Sequence, residues 1–408
     1  MSDYSEKQLR SIKTKRPDFM LWLNFLHIYQ PPTLEKDLLI RISKEAYFNI
    51  VRVLLRNPQY KITLNVTACL TEYLNQIGYT KLIDDLKFLV ARGQIELTGS
   101  AAFHPLLPLL PIKEVERQIQ INYDINQRYF GKLYQPQGFF LPEMAYGDET
   151  ARAIKRAGFR WIILDEISFD GKINSGCLDY TKKYKLKNIG LNVVFRNRKL
   201  SKTFVPEEIE KILKQEKRPE IVITATDGEL YGHKYKDQEN ILDNILKNEN
   251  LTTLTITEFL AQKRKEEKIN VMPSSWESTP AELTHRVPYS LWQHSKNKIH
   301  KQLWQLANFA LQLNYQGKRD PNHFASRLHL EKGLASCTFW WASDKDFKLF
   351  NYAAWNPEEV EKGALELLRS VRSLSKINPQ KKIMAEKMFL AIHQAIWTKH
   401  WGKFRKTK

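Results

Sequence analysis

Short apolar segments alternate with longer amphipathic segments along most of this chain, and this alternation constrains the fold more than any other feature. The apolar segments are nearly continuous and rich in β-branched and aromatic residues, as expected for strands buried on both faces of a sheet. Seven of them are predicted as strands, at residues 19–27, 62–67, 94–99, 138–143, 160–166, 192–195 and 220–227. Between most of them, apolar residues recur with helical spacing, for example from residue 35 to about 56. The pattern predicts a parallel sheet covered by helices.

The number of predicted strands favours a sheet that closes, or nearly closes, into a barrel. A doubly wound open sheet remains an alternative, because periodicity alone does not show closure. After Pro288 the helical spacing continues without intervening strands. We therefore predict an α/β barrel domain at residues 1–285 and a C-terminal α-helical domain at residues 286–408.

The charge balance of the chain raises the question of a polyanionic partner. Among 408 residues, 64 Lys and Arg outnumber 45 Asp and Glu, which gives a net charge of +19. Such a balance is common in proteins that bind nucleic acid or anionic membranes. However, the lysines are spread over predicted helices, and no basic motif interleaved with aromatic residues supports such a site. We predict a solvated lysine-rich surface and no specific nucleic-acid partner. A nucleic-acid binder, which would show a steep salt dependence, is a competing hypothesis.

No targeting signal or cofactor motif is recognisable in the sequence. The N-terminal residues 1–19 are polar and charged, unlike a signal peptide, and no run of about 18 apolar residues predicts a membrane span. The three cysteines, Cys69, Cys177 and Cys337, are odd in number and far apart, which predicts buried thiols in a reducing cytosol. None of the ten histidines forms an HxH, HxxxH or HExxH motif. We predict a cytoplasmic protein with no membrane association, no cofactor and no bound metal.

Polar side chains stand where several predicted strands end. His27 ends the first strand, His104 follows the third, Glu143 ends the fourth, Asp165 lies at the end of the fifth and Asp227 ends the seventh. The loops after the C-terminal strand ends form the catalytic face of parallel barrels. Taken singly, each residue could instead be a hydrogen-bonded loop residue or a helix cap. Their common position predicts a polar site at the mouth of the barrel.

Glu143 and Asp227 are the pair with the clearest chemistry. Two carboxylates on different strands could face each other across a barrel mouth, and paired carboxylates are what glycoside cleavage requires. Glu143 follows a proline and precedes an apolar turn, which suits a fixed nucleophile. Asp227 lies in a glycine-containing loop with Glu229, which suits a proton donor. A metal-dependent deacetylase on a similar barrel is a competing hypothesis, weakened by the missing histidine pair.

Four further side chains near the predicted mouth have two interpretations each. Trp276 could stack on the face of a sugar ring or be an ordinary rim residue. Arg196 could hold the substrate or the active-site carboxylates, or it could lie on a basic strand edge. Asp165 and Glu229 could bind sugar hydroxyls or orient the acid. All four are predicted residues of the substrate site.

Four sequence segments resemble, in order, the first four signature regions of glycoside hydrolase family 57. They are HIYQPP, GQIELTGSAAFHP, GFFLPEMAY and TATDGELYGHK. Four later segments also resemble this family, namely VVFRNRKLS, VMPSSWES, VPYSLWQHSKNKIHKQLWQLA and ASCTFWWAS. The resemblance covers nearly the whole chain. The family is built around α-amylase-like enzymes, 4-α-glucanotransferases, branching enzymes and amylopullulanases.

This resemblance implies an incomplete TIM-like (β/α)7 barrel followed by a C-terminal helical bundle. It also implies a retaining mechanism that requires no metal. Under the same resemblance, Glu143 is the nucleophile and Asp227 is the general acid/base. His27, His104 and Trp276 match positions associated with sugar contacts at the central subsite.

One position departs from the family pattern and bears on substrate preference. Where many members have the second histidine of HxHQP, this chain has Tyr29, which can still donate a hydrogen bond to a sugar hydroxyl. The implied function is a retaining hydrolase or transglycosylase that acts on an α-glucan or a maltooligosaccharide. Hydrolysis and transfer stay open, since both use the same covalent glycosyl-enzyme. A carbohydrate-binding member that has lost catalysis is the alternative function, because of the change at Tyr29.

Overall fold

The computed structural model describes residues 19–343 and 355–404. The strands in these ranges are β1 (Met20–Ile28), β2 (Ile62–Val66), β3 (Ile95–Thr98), β4 (Gly138–Phe140), β5 (Trp161–Asp165), β6 (Lys183–Leu186), β7 (Asn192–Arg196), β8 (Ile221–Asp227), β9 (Leu251–Thr253) and β10 (Glu266–Ile269). The α-helices in the same ranges are α1 (Lys36–Ile42), α2 (Phe48–Arg56), α3 (Ala68–Gln76), α4 (Thr80–Ala91), α5 (Ile112–Phe130), α6 (Asp148–Arg156), α7 (Ile167–Asp170), α8 (Arg198–Ser201), α9 (Val205–Leu213), α10 (Ile241–Ile245), α11 (Ile256–Ala261), α12 (Pro280–Thr284), α13 (Lys298–Gln316), α14 (His323–Gly333), α15 (Ser336–Trp340), α16 (Pro357–Ser373) and α17 (Pro379–Phe404).

Seven of the strands form a closed ring. Parallel pairing joins β3, β2, β1 and β8 in that order, and β4, β5 and β7 in a second group. Gly99 N donates to Gly138 O and Phe140 N donates to Gly99 O, both at 2.9 Å, and these bonds join β3 to β4. Asn197 N donates to Ile223 O at 2.8 Å and joins β7 to β8. The predicted barrel is therefore confirmed as a (β/α)7 barrel, and the alternative of an open sheet is wrong.

Three further strands lie outside the ring. β9 pairs with the first residues of β1, while β6 is antiparallel to β7 and parallel to β10. These strands are absent from the prediction, because they are short and two of them are rich in charged residues, KYKL in β6 and EEKI in β10. Such segments lack the continuous apolar run by which buried strands are recognised.

The helices that cover the first strands follow the predicted spacing. The helix predicted over residues 35–56 is confirmed as α1, one π-helical turn over residues 43–47, and α2. Between residue 68 and residue 91 the chain forms two helices, α3 and α4. The chain turns at Gly78, whose φ of 84° is a conformation that glycine adopts without a steric penalty.

The interior of the barrel is packed with apolar side chains. Phe25 of β1, Phe140 of β4 and Ile256 of α11 belong to one buried cluster. The backbone N–H of Ile256 donates to Thr63 Oγ1 at 3.0 Å, close to the start of β2. Helix α11 therefore closes the N-terminal end of the ring, and the groups that could act on a substrate stand at the C-terminal strand ends.

The C-terminal helices form the predicted bundle and pack against the loops that follow β3 and β4. Leu106 and Ala145 from these loops share one apolar cluster with Leu303 of α13. The backbone N–H of Ser336 donates to His104 O at 2.9 Å, so the start of α15 reaches the mouth of the barrel. Within residues 19–343 and 355–404, no helix is long and apolar enough to cross a membrane.

Replacing Gly138 with alanine should destabilise the strand that leads to Glu143. A Cβ atom at this position would lie 2.1 Å from the buried ring of Trp161, so the ring or the strand would have to move. We expect the free energy of unfolding, measured by urea denaturation, to fall by about 1–3 kcal/mol. Gly402→Ala is the matched control, because a Cβ atom there meets nothing within 4 Å. Equal urea midpoints for the two variants would contradict the close packing of β4 on β5.

Candidate active site

His27 brings several of the predicted site residues together. It lies at the end of β1, in register with Asp227 of β8. Its ring centroid is 4.3 Å from that of Phe140 and 4.9 Å from that of His104. Tyr29 stacks on His104 with a centroid distance of 4.0 Å. Side chains from the C-terminal ends of β1 and β8 and from the loop after β3 therefore meet around the end of β4.

Glu143 stands in a strained turn directly after β4. Its φ is 61° and that of Met144 is 48°, so two consecutive residues with side chains occupy the left-handed region. His104 has a φ of 55° and lies in the same region. Such conformations cost on the order of 1–3 kcal/mol each and cluster at functional sites. The backbone N–H of Trp276 donates to Glu143 O at 3.0 Å and helps to hold the turn.

Both oxygens of the Glu143 carboxylate accept hydrogen bonds. Oε2 accepts from Nε1 of Trp276 at 2.9 Å, and Oε1 accepts from the hydroxyl of Ser336 at 2.7 Å. Burial, opposed by these two bonds and reinforced by the charge of Asp227, raises the pKa of Glu143 to about 7. The carboxylate is therefore fixed in orientation and is ionised mainly above that pH.

Asp227 has a different environment from Glu143. Its side chain is 36% exposed, whereas that of Glu143 is 12% exposed. Lys234 Nζ lies 4.0 Å from Asp227 Oδ2. The charge of Asp227 acts on both Glu143 and His27, so the three groups share one electrostatic field. The two carboxylates therefore lie in unlike surroundings.

Glu229 is buried behind Asp227. Its Oε1 accepts hydrogen bonds from Gln30 Nε2, at 2.7 Å, and from the hydroxyl of Tyr47. Burial and the charge of Asp227 raise the pKa of Glu229 to about 7. These bonds tie the segment after β8 to Gln30 and Tyr47, and a direct contact of Glu229 with sugar stays a prediction.

Asp165 and Arg196 form a buried support for Trp276. Asp165 has no accessible surface, and its two oxygens bind Arg196 Nε at 2.8 Å and Arg198 Nη2 at 2.7 Å. The guanidinium of Arg196 lies 5.0 Å from the ring centre of Trp276. Arg198 Nη1 donates to Ser278 O at 2.7 Å and so holds the segment that carries Trp276. The geometry places both residues behind the half-buried Trp276, and their direct contact with sugar stays a prediction.

The two histidines of the site are uncharged at neutral pH. Burial lowers the pKa of His27 to about 4, and burial together with the charge of His27 lowers that of His104 well below its usual value. His27 Nδ1 lies 2.8 Å from Asn65 Oδ1, while Asn65 Nδ2 donates to Thr98 Oγ1. Since Asn65 Oδ1 can only accept, Nδ1 of His27 carries the hydrogen and Nε2 is left as an acceptor.

Three residues that contact the predicted carboxylates were not predicted from the sequence. Gln30 and Tyr47 bind Glu229, and Ser336 binds Glu143. Gln30 belongs to the HIYQPP segment and Ser336 to ASCTFWWAS, so both lay within segments already noted for their resemblance. Tyr47 lies in the π-helical turn between α1 and α2 and carries no signal of its own in the sequence.

The three cysteines differ in their exposure to solvent. Cys69 is buried and Cys337 is partly buried, but Cys177 is exposed, so the predicted burial is wrong for that residue. Cys177 lies in the loop that precedes β6, and loops run over protein surfaces.

In the part of the chain that the structure describes, no group of three His, Cys, Asp or Glu side chains is arranged to hold a metal ion.

Comparison with known proteins identifies the family. The family model described as "Glycosyl hydrolase family 57" matches residues 7–273. The chain belongs to glycosyl hydrolase family 57. The resemblance noted in the sequence is thereby confirmed over most of the chain.

Each of three curated relatives matches about a third of this family 57 chain. An α-amylase of Pyrococcus horikoshii is 26% identical over 151 residues, which cover 36% of this chain and 23% of the relative. The α-amylase 1 of Dictyoglomus thermophilum is 24% identical over 145 residues, which cover 35% of this chain and 21% of the relative. A 4-α-glucanotransferase of Thermococcus litoralis is 25% identical over 125 residues, or 30% of this chain and 18% of the relative. The matches therefore span less than a quarter of these relatives.

Solved structures of similar shape cover nearly the whole family 57 chain. The 4-α-glucanotransferase from Thermococcus litoralis superposes with a TM-score of 0.68 at 17% identity and covers 88% of this chain and 61% of its own. The α-amylase AmyC from Thermotoga maritima gives a TM-score of 0.65 at 12% identity, with 93% of this chain and 99% of its own covered. At these identities the likeness concerns the fold.

Replacing Glu143 with glutamine should stabilise this family 57 chain at alkaline pH. Because burial raises the pKa of Glu143 from 4.5 to about 7, the folded state binds more protons than the unfolded state between these values. The contribution of the Glu143 carboxyl to the stability of the fold is full below about pH 4.5 and is lost as the pH rises through about 7. Glutamine does not ionise, so the variant should gain at most about 3 kcal/mol over the parent chain at pH 8 and little at pH 4.

Thermal unfolding at pH 4 and pH 8 measures this difference. Glu149→Gln is the matched control, because the side chain of Glu149 is 80% exposed. The control should behave like the parent chain at both pH values. A stability difference for Glu143→Gln that is the same at pH 4 and pH 8 would contradict the raised pKa.

Proposed function

We propose that this chain is a retaining glycoside hydrolase or transglycosylase that acts on α-glucans, with Glu143 as the nucleophile and Asp227 as the general acid/base. The observation that carries the proposal is the pairing of an anchored, buried carboxylate with a half-exposed one at the mouth of a family 57 barrel. Retaining cleavage needs one carboxylate held in place for attack and one that exchanges protons.

In the proposed first step, Asp227 protonates the glycosidic oxygen while a carboxylate oxygen of Glu143 attacks the anomeric carbon. The bond from that carbon to the leaving oxygen breaks, and a covalent glycosyl-enzyme forms. In the second step, Asp227 takes a proton from a water molecule or a sugar hydroxyl, whose oxygen attacks the anomeric carbon and releases Glu143. Water gives hydrolysis and a sugar hydroxyl gives transfer.

The rings of the mouth are proposed to bind the α-glucan or maltooligosaccharide. Uncharged His27 and His104 offer ring nitrogens as hydrogen-bond acceptors without a positive charge beside Asp227. Tyr29, which replaces a family histidine, keeps a flat ring stacked on His104. Trp276 presents a half-buried indole whose N–H is already used by Glu143, so its contact with sugar is through the ring face.

The domain division and the cellular setting are parts of the same proposal. We place the catalytic barrel at residues 1–285 and the helical domain at residues 286–408, in keeping with the end of the last strand at Ile269 and the start of α13 at Lys298. A cytoplasmic location, and activity without a cofactor or a nucleic-acid partner, remain predictions.

Azide rescue separates the roles of the two carboxylates. With an aryl α-maltoside, whose leaving group needs little protonation, Asp227→Ala still forms the glycosyl-enzyme, and azide attacks it to give the α-glycosyl azide. Glu143→Ala offers azide the space of the missing carboxylate, and direct attack gives the β-glycosyl azide. The coupling constant of the anomeric proton, measured by NMR, distinguishes the two products. Turnover of maltooligosaccharides should fall by several orders of magnitude in both variants.

Glu149→Ala is the control for a change at an exposed carboxylate, and it should turn over substrate like the parent chain. Full activity of both Glu143→Ala and Asp227→Ala would contradict the assignment. If the parent chain binds maltoheptaose but forms no product over days, the alternative of a binding protein without catalysis is correct.

A further inference from the structure

Ser336 joins the C-terminal helices to the proposed nucleophile. It is the first residue of α15, has no accessible surface, and lies 193 positions after Glu143 in the chain. Its backbone N–H donates to His104 O at 2.9 Å. Its hydroxyl lies 2.7 Å from Glu143 Oε1 and 3.0 Å from His104 Nδ1. The hydroxyl of Ser336 therefore lies between the carboxylate of Glu143 and the imidazole of His104. The backbone of Ser336 is also held by His104.

The hydrogens in this bridge can be assigned from valence. An ionised carboxylate only accepts, so the single hydroxyl hydrogen of Ser336 points at Glu143. The Ser336 oxygen then accepts from His104 Nδ1, which carries the one ring hydrogen of an uncharged imidazole. His104 fixes the direction of the hydroxyl, and the hydroxyl fixes the direction of the carboxylate oxygen.

We propose that Ser336 is a positioning residue for the nucleophile, which orients the carboxylate of Glu143 and favours its charged form through one hydrogen bond supplied from the helical bundle. This inference rests on the proposed role of Glu143. Ser336 itself is inaccessible, so its contribution passes through Glu143 rather than through contact with substrate.

The loss of this bond should change the titration of Glu143. A hydrogen bond to an ionised carboxylate favours the charged form and is worth more than one between neutral groups. Of the two donors to Glu143, Trp276 would remain, and the burial of Glu143 would still oppose its ionisation. The pKa of Glu143 should therefore rise further when Ser336 loses its hydroxyl.

The test is the pH dependence of kcat/KM in Ser336→Ala. We expect the acid limb of the profile to move up by about one pH unit, since a hydrogen bond to a charged group corresponds to about one unit or more of pKa. At a pH on that limb, kcat should fall about tenfold, while KM for maltooligosaccharides should stay within about twofold because Ser336 does not touch substrate. Ser336→Thr keeps the hydroxyl and should restore the profile of the parent chain.

Ser326→Ala is the matched control, because Ser326 is also a fully buried serine of the helical bundle and bonds to Asn314 and Ser370 instead. It should lower stability without moving the acid limb. If Ser336→Thr does not fold, Ser336→Cys replaces it, since a thiol is a weaker donor and should give a smaller shift than alanine. The carboxyl 13C titration of Glu143, identified by its loss in Glu143→Gln, gives the same shift without any need for turnover.

An acid limb and a 13C titration that are unchanged in Ser336→Ala, together with normal turnover by the parent chain, would overturn the role of Ser336 and leave the proposed function intact. A failure of the proposed function has a different signature, because Glu143→Ala would then keep its activity. A shift of equal size in Ser326→Ala would show a general effect of the helical bundle and would also overturn the inference.

Discussion

The site is organised around the carboxylate of Glu143, which is almost entirely buried. Burial disfavours the charged form of Glu143, and two hydrogen bonds among the described residues oppose that cost. One donor, Trp276, comes from the segment after β10, and the other, Ser336, comes from the helical bundle. The barrel alone therefore does not complete the surroundings of its own carboxylate. The role proposed for Ser336 would give the contact between the two parts of the molecule a chemical function as well as a role in stability.

The Trp276 donor depends in turn on a charge cluster that water does not reach. Asp165 holds Arg196 against the indole and Arg198 against the backbone of the same segment. Removing one partner of such a buried cluster costs about 3–5 kcal/mol, because it leaves a charge without compensation. A hydrogen bond to a charged group is worth about 1.5–3 kcal/mol. Removing one residue of the support behind the indole is thus expected to cost at least as much as losing the bond that the indole makes.

Features that depend on a short stretch of the chain could be predicted from the sequence, whereas contacts between residues far apart in the chain could not. The strands of the ring were predictable because buried parallel strands are continuous apolar runs, and His27 and Asp227 followed because strand ends meet at one edge. β6 and β10 lack such runs and were missed. Glu143 was predictable as a strand-end carboxylate, but the serine that binds it was not. No periodicity links Ser336 to a residue 193 positions away, since only the packing of the bundle brings them together.

The place of Ser336 in the chain has a consequence for the order in which the molecule is made. Translation proceeds from the N-terminus, so all ten strands and Trp276 leave the ribosome before Ser336 does. A barrel that closes during synthesis therefore holds Glu143 with one donor instead of two until α15 has emerged and docked. The surroundings of the proposed nucleophile are consequently completed late in synthesis, although Glu143 lies in the first half of the sequence.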